Sequence, residues 1–340
     1  MPTIDADAHV IETEDTWSYM AESELQFRPR VVGPAGQADA TATYWMVDGR
    51  LHARTNVGKE TPQGAREMTD IQKRLDHMNQ LGVDVQVLYP TLFLTPITRR
   101  IEVQVALYRS YNRWLAEIWK KAPDRLRWVA AVPLLSLEHS FSEMRFGKEN
   151  GACGVFVCGL EAERRLSDSY FFPLYEEASR LELPVCVHSG NASFAVHDFF
   201  IHDSGFSKFK LAVVGAFHAV IFDQIPERFP RLKLGFIEVG AQWIPYVVKD
   251  LGRRFKRRGR PLSENLLREN RIYVACETTD DLAYVVHYAG EDNLVIGSDY
   301  GHADTSAEIE ALRRLKEEGK VSASVVSKIL GDNARALYGL

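Results

Sequence analysis

The segment Ile4-Asp5-Ala6-Asp7-Ala8-His9-Val10-Ile11-Glu12 sets Asp5, Asp7 and His9 at alternate positions, the period at which the side chains of a strand share a face. A largely apolar strand that carries two carboxylates and an imidazole on one face must pair them or give them an ion to hold, because unpaired charge is costly to bury. Two acids beside a histidine make a hard-to-borderline ligand set suited to a divalent cation. One strand does not close such a site, so other ligands must come from elsewhere in the chain.

Three later segments supply candidates. Val185-Cys186-Val187-His188-Ser189-Gly190-Asn191 ends an apolar run in His188, and Leu234-Gly235-Phe236-Ile237-Glu238-Val239-Gly240 ends one in Glu238. Leu294-Val295-Ile296-Gly297-Ser298-Asp299-Tyr300-Gly301-His302 ends in Asp299, with His302 and Asp304 just behind. One such residue at a strand end commonly caps a loop, but Asp7, His9, His188 and Asp299 at equivalent strand ends argue for a shared metal site. Glu238 closes a wholly apolar run and reads as a ligand or general base. His302 reads as a proton relay or a cap of the following helix. Glu12 has the wrong parity for the face of Asp7 and His9 and joins them only if the chain turns after Val10. His218, in the apolar segment Phe217-His218-Ala219, is either a hydrogen-bonded core histidine or an inward-facing ligand or catalytic group. If Glu12, His218 and Glu238 all reach inward, the site holds more ligands than one ion takes. That surplus would imply a second ion, serving hydrolysis or, with iron or manganese, dioxygen chemistry.

The elements that must position these residues alternate regularly from Thr69 onward. Helices are expected over 69–81, 99–121, 137–149, 169–181, 207–223, 241–257, 280–289, 305–318 and 322–337. Strands are expected over 84–90, 126–134, 152–158, 184–189, 232–239, 271–276 and 293–298, and with the first segment they number eight. Strands this continuously apolar are covered on both faces, as parallel strands are, so the expected fold is a (β/α)₈ TIM barrel forming one domain over 1–340. A doubly wound open sheet would announce itself with a glycine-rich phosphate turn, and no GxGxxG or Walker loop is present. The alternation is interrupted by a cap over about 13–68, containing the hairpin Tyr44-Trp45-Met46-Val47-Asp48-Gly49-Arg50-Leu51, and by a loop over about 192–206 after strand five. Both insertions carry aromatics: Trp17 and Trp45 in the cap, and Phe194, Phe199, Phe200 and Phe206 in the loop. These could close over an apolar or aromatic substrate or simply pack the insertions.

Composition narrows the class. A chain of 340 residues that is 46% hydrophobic can bury a large core, and a net charge of −5 with pI near 6.1 disfavours a nucleic-acid or membrane partner. A small-molecule substrate, a cytoplasmic location and a homo-oligomer, dimer or higher, are expected. No signal peptide or membrane-length apolar run is evident. Cys153, Cys158, Cys186 and Cys276 lie in apolar runs without CxxC spacing, as reduced structural thiols do. The basic run Arg253 to Arg260 reads as a solvated helix face or a subunit contact. No GxSxG elbow is present, which argues against triad hydrolysis.

Taken together, the Asp-x-His after an initial Ile-Asp, the Val-His-Ser-Gly strand end, the approach Arg228-Phe229-Pro230-Arg231-Leu232-Lys233 to strand six and the Gly-Ser-Asp-Tyr of strand eight resemble the amidohydrolase-related family. Familiar members are aminocarboxymuconate-semialdehyde decarboxylase and γ-resorcylate decarboxylase. The resemblance spans nearly the whole chain outside the insertions. It implies a (β/α)₈ barrel binding a divalent metal (zinc, manganese or iron, one or two ions) through Asp7, His9, His188 and Asp299. The activity it implies is hydrolysis or non-oxidative decarboxylation of a small cyclic or aromatic acid or amide. Dinuclear oxygenation on the same barrel is the alternative, and an inactive partner subunit is a third reading. Two departures stand out: Asp7 occupies the position where many members have the first histidine of His-x-His, and Glu238 stands where the decarboxylases have a histidine.

Overall fold

The computed structural model describes residues 2–33 and 43–340. Eight parallel strands form the barrel: β1 Ile4–His9, β2 Val85–Tyr89, β3 Leu126–Ala131, β4 Ala152–Cys158, β5 Val185–His188, β6 Leu234–Ile237, β7 Ile272–Cys276 and β8 Leu294–Ile296. They pair in chain order, with Ile4 opposite Val85 and His188 opposite Ile237. The ring closes where His9 N donates to Tyr300 O (2.7 Å) and Ser298 N to Asp7 O (3.2 Å). Helices cover the outside, so the barrel strands are almost wholly buried, as their continuous apolar runs require.

Asp5 shows how a carboxylate can serve the fold. It accepts hydrogen bonds from Ser298 N (2.9 Å), Ser298 Oγ (2.6 Å) and Gln86 Nε2 (2.9 Å), tying β1 to both of its neighbours. Burial pushes its carboxyl up to about 6.

Local signals set the helix ends. The helix Ile71–Leu81 starts at Asp70, whose side chain accepts from Lys73 N (3.1 Å), and stops at Gly82 in the left-handed region. The helix expected over 207–223 begins as a wide turn, Phe206–Lys210, before the α-helix Leu211–Phe222. The one expected over 305–318 shrinks to Ala311–Glu317. There the chain is held back on β8 instead: Asp304 accepts from Ser306 N (2.8 Å) and Glu308 N donates to Ser298 O (3.0 Å).

In the cap, Tyr44–Val47 and Arg50–Ala53 form the expected hairpin, and Arg30–Val32 adds a third antiparallel strand. Its two-residue turn has positive φ at Asp48 (45°) and Gly49 (78°), the geometry that matches strand twist. Residues 34–42 of the expected cap lie outside the described residues. Trp17 is fully buried against Trp45 and Phe93, so it packs the cap and does not face a substrate. All four cysteines are buried and unpaired. Among the described residues, no helix is long and apolar enough to cross a membrane.

Candidate metal centre

At the mouth of the barrel, Asp7, His9, His188 and Glu238 from three strand ends bring their donor atoms together, and Asp299 from a fourth approaches His9. His188 Nε2 lies 3.1 Å from His9 Nε2, 3.2 Å from Asp7 Oδ1 and 3.1 Å from Glu238 Oε2. His9 Nε2 is 3.5 Å from Asp7 Oδ1, 3.8 Å from Glu238 Oε2 and 3.4 Å from Asp299 Oδ1. Donors bound at about 2.1 Å stand about 3.0 Å apart around an octahedral ion and about 3.4 Å apart around a tetrahedral one. The observed spacings, 3.1–3.8 Å, begin just above the octahedral value and extend past the tetrahedral one.

The opposite edges of the imidazoles are pinned as ligand histidines require. His9 Nδ1 meets Pro90 O at 3.0 Å and His188 Nδ1 meets Ser189 O at 3.1 Å, which leaves each Nε2 free to face inward. Glu238 Oε2 and both carboxylate oxygens of Asp299 are buried and, although histidine nitrogens lie near two of them, accept no well-aligned hydrogen bond among the described residues. Orphaned acceptors of this kind are what a cation would satisfy, so the donor set fits a divalent metal. Glu238 and Asp299 also stand in the left-handed backbone region, with φ of 64° and 50°. Strain of this kind costs about 1–3 kcal/mol per residue and persists where its surroundings enforce it.

The electrostatics divide the carboxylates. Burial alone would raise Asp7, but His188 and His9 outweigh it and hold its carboxyl well below the usual range. Burial drives Glu238 and Asp299 well above that range, with repulsion from Asp304 and Asp7 adding to both. His9 and His302 are both depressed by burial and held toward the neutral imidazole, the form that binds metal.

A second grouping overlaps the first: His9, Glu238, Asp299 and His302 also bring ligand atoms together. The His302 ring stacks on His9 with centroids 3.8 Å apart. Its Nδ1 lies 2.7 Å from Asp299 Oδ1, and its Nε2 lies 2.8 Å from Thr91 Oγ1, which in turn donates to Val10 O.

Two expected members are not brought in. Glu12 does turn inward, but its carboxylate accepts from Thr91 N (2.9 Å) and Leu92 N (3.1 Å), capping the turn Leu92–Leu94. Burial there pushes it up to about 7. His218 lies on the outer side of the helix Leu211–Phe222, with Nε2 3.1 Å from Asp250 Oδ2 and its ring stacked on Phe222. There it stands apart from the metal-capable groups. Its neighbour Phe217 faces the barrel, and one residue later the helix has turned about 100° away.

A cleft of about 920 Å³ opens beside the cluster, walled by Phe206, Phe209 and Trp243 and by Lys210, Glu277 and Asp304. Glu238 is the one member of the first cluster that lines it. A smaller cavity of about 430 Å³, lined by Glu12, Trp45, His52 and Arg54, adjoins it through Thr55, Asn56 and Phe209. Lys210, whose Nζ is 3.4 Å from Glu277 Oε1, was not singled out by sequence, nor was Glu277. Glu277 directly follows β7, so the strand-end rule that found His188 would have found it.

A family model described as Amidohydrolase matches residues 4–340. The chain belongs to the amidohydrolase family. A 2-amino-3-carboxymuconate-6-semialdehyde decarboxylase from Dictyostelium discoideum is 23% identical over 291 residues, covering 80% of this chain and 77% of its own length. An amidohydrolase from Mycobacterium avium subsp. paratuberculosis superposes with a TM-score of 0.81 at 20% identity, over 99% of both chains. A dihydroxybenzoic acid decarboxylase from Polaromonas sp. JS666, with bound manganese and the inhibitor 2-nitroresorcinol, superposes at 0.70 and 18% identity over 100% of this chain and 97% of its own. This member of the amidohydrolase family is therefore an enzyme on a (β/α)₈ barrel with a buried group of metal-capable side chains.

Proposed function

We propose that this amidohydrolase is a metal-dependent enzyme that removes the carboxyl group of a small hydroxylated aromatic acid without oxidation, with hydrolysis of a related acid or amide as the adjoining chemistry of the same site. The observation that carries this reading is Glu238: it belongs to the donor cluster and also lines an aromatic-walled cleft. Asp7, His9, His188 and Asp299 would hold the ion, which when bound supplies Lewis-acid polarisation of a substrate oxygen or water. Phe206, Phe209 and Trp243 would stack the ring and exclude water, and Lys210 would meet an anionic substituent. Cleavage of the ring–carboxyl bond would leave its electron pair on the ring carbon, and a proton from the Glu238 carboxyl group, which in this reading is not a ligand of the ion, would neutralise it as carbon dioxide departs. The burial and neighbouring acids that raise Glu238 suit a carboxyl group to donate that proton, in place of the histidine that the family resemblance implies at this position. The decarboxylase relatives, one of them with bound manganese, support the reading.

A second reading is favoured by the overlapping group His9, Glu238, Asp299 and His302: a dinuclear iron or manganese oxygenase, with His302 in the place that sequence alone gave to Glu12 and His218. Metal analysis separates the two. Protein expressed with manganese, iron and zinc should carry one ion per chain and release carbon dioxide from a panel of hydroxybenzoic acids without consuming oxygen. Glu238→Gln should abolish release while keeping the ion. Two ions per chain with substrate-dependent oxygen uptake would replace the first reading by the second.

A further inference from the structure

The opposite end of the barrel carries another cavity, of about 460 Å³. It lies where four strands begin: Arg127 is the second residue of β3, Ala152 the first of β4, and Pro184 and Lys233 immediately precede β5 and β6. Functional groups of such barrels gather at the other face, and this end ordinarily serves stability alone. Here, however, Arg127, Lys148, Arg231 and Lys233 ring one opening, with Glu182 the single acid among them.

In a chain of net charge −5, that concentration of positive charge runs against the overall sign. None of the four cations forms an ion pair with a carboxylate among the described residues, and Glu177, on the helix leading to Glu182, is already taken by Arg145 and Arg180. Two of the four are held in place by backbone carbonyls: Arg127 Nε donates to Gly151 O (3.0 Å) and Lys233 Nζ to Ala336 O. A carbonyl orients a cation without cancelling its charge, so Arg127 and Lys233 are fixed while Glu182 is the one lining carboxylate that offsets the mutual repulsion of the four. Burial lowers the Lys233 ammonium, Glu182 opposes that shift, and Lys148 adds to it. The inner wall is of different character, formed by Ala152, Leu183, Pro184 and the Tyr338 ring. Cations preset by other contacts lose little freedom on binding, and Arg with Lys is the pairing that receives a phosphate dianion.

We propose that this cavity is an anion-binding site, separate from the metal cluster, for a small organic phosphate whose phosphate group sits among Arg127, Arg231 and Lys233 and whose body rests on the apolar wall. Phenyl phosphate is the probe, titrated calorimetrically into the full chain at low ionic strength with and without a metal chelator. One saturable site is expected, unchanged by the chelator and weakened at least about tenfold in Arg231→Met/Lys233→Met, the loss expected for charge-assisted hydrogen bonds. Lys148→Glu reverses the charge of an exposed side chain and should weaken binding as well, which keeps the test open if the double variant does not fold. Inorganic phosphate should bind more weakly than phenyl phosphate. Absence of saturable binding, binding untouched by these substitutions, binding lost on chelation, or equal affinity for inorganic phosphate would each overturn the proposal.

Discussion

Gly297 is the point at which one added methyl group should disable the metal centre from behind. A Cβ built there would stand 2.3 Å from Asp7 Cβ and 3.1 Å from Asp7 Cα, about 1 Å short of ordinary carbon–carbon contact. The strands cannot simply part, because Ser298 N and Asp299 N both donate to Asp7 O, at 3.2 and 3.0 Å. Asp7 must therefore shift, and metal sites tolerate ligand displacements of only about 0.2 Å. We expect Gly297→Ala to lower metal affinity by about 100-fold, at the upper end of what disturbed ligand orientation costs. Overpacking should also remove about 1–3 kcal/mol of stability. Gly215→Ala is the control: nothing lies within 4 Å of its added Cβ, and in a helix alanine should stabilise by up to about 1 kcal/mol. Competition against a chromogenic chelator gives the affinity, and thermal unfolding with and without metal gives both the stability cost and the lost metal-induced rise. If Gly297→Ala binds metal within threefold of the unsubstituted protein and melts at the same temperature, the reasoning about the β1–β8 contact is refuted.

Two further outcomes test separate parts of the structure. His188→Ala removes the nitrogen that meets Asp7, His9 and Glu238, so bound metal should fall to about a tenth or less of its level while circular dichroism stays native; unchanged metal content would displace the site. Glu161, buried with its carboxylate accepting from Cys158 N at 2.7 Å, is pushed up from 4.5 to about 8 by burial. The folded state thus keeps a proton that the unfolded chain releases, so this residue's contribution to stability is fullest below pH 4.5 and is lost as pH rises through 8. At 1.36 kcal/mol per unit the ceiling is about 5 kcal/mol, and relaxation should leave a fraction of it. Glu161→Gln should flatten urea-unfolding stability between pH 5 and 9, and parallel curves for the two proteins would contradict the assignment.

The parts of the molecule legible in the sequence were those set by short-range repetition. Continuous apolar strands with helical periods between them gave the barrel, and the recurrence of His188, Glu238 and Asp299 at strand ends located the cluster. The cleft was not legible in the same way. Phe206, Phe209 and Lys210 come from a wide helical turn after β5, while Glu277 and Asp304 come from loops after β7 and β8. No local period relates residues whose proximity depends on how the loops fold over the barrel mouth. Glu12 illustrates the same limit, since parity showed that it needed a turn after Val10, but only tertiary structure shows the turn taken and the carboxylate used by Thr91 N and Leu92 N.

His218 is different, because the sequence already held the argument against it. In its helix Val213, Ala216, Phe217 and Val220 are buried, at i, i+3, i+4 and i+7, the spacing of a face packed on a core. His218 falls outside that stripe. An inward-facing ligand at that position would have required rotating the helix by about 100° and exposing Phe217 and Val220, which burial at about 1.5–3 kcal/mol per large apolar side chain opposes. No such stripe bears on His188, Glu238 and Asp299, because they end strands whose faces are all buried and whose side chains have only the barrel mouth to enter. Ligand-type residues at strand ends and ligand-type residues on helices therefore need different tests: position along the strand for the first, and angle around the axis for the second.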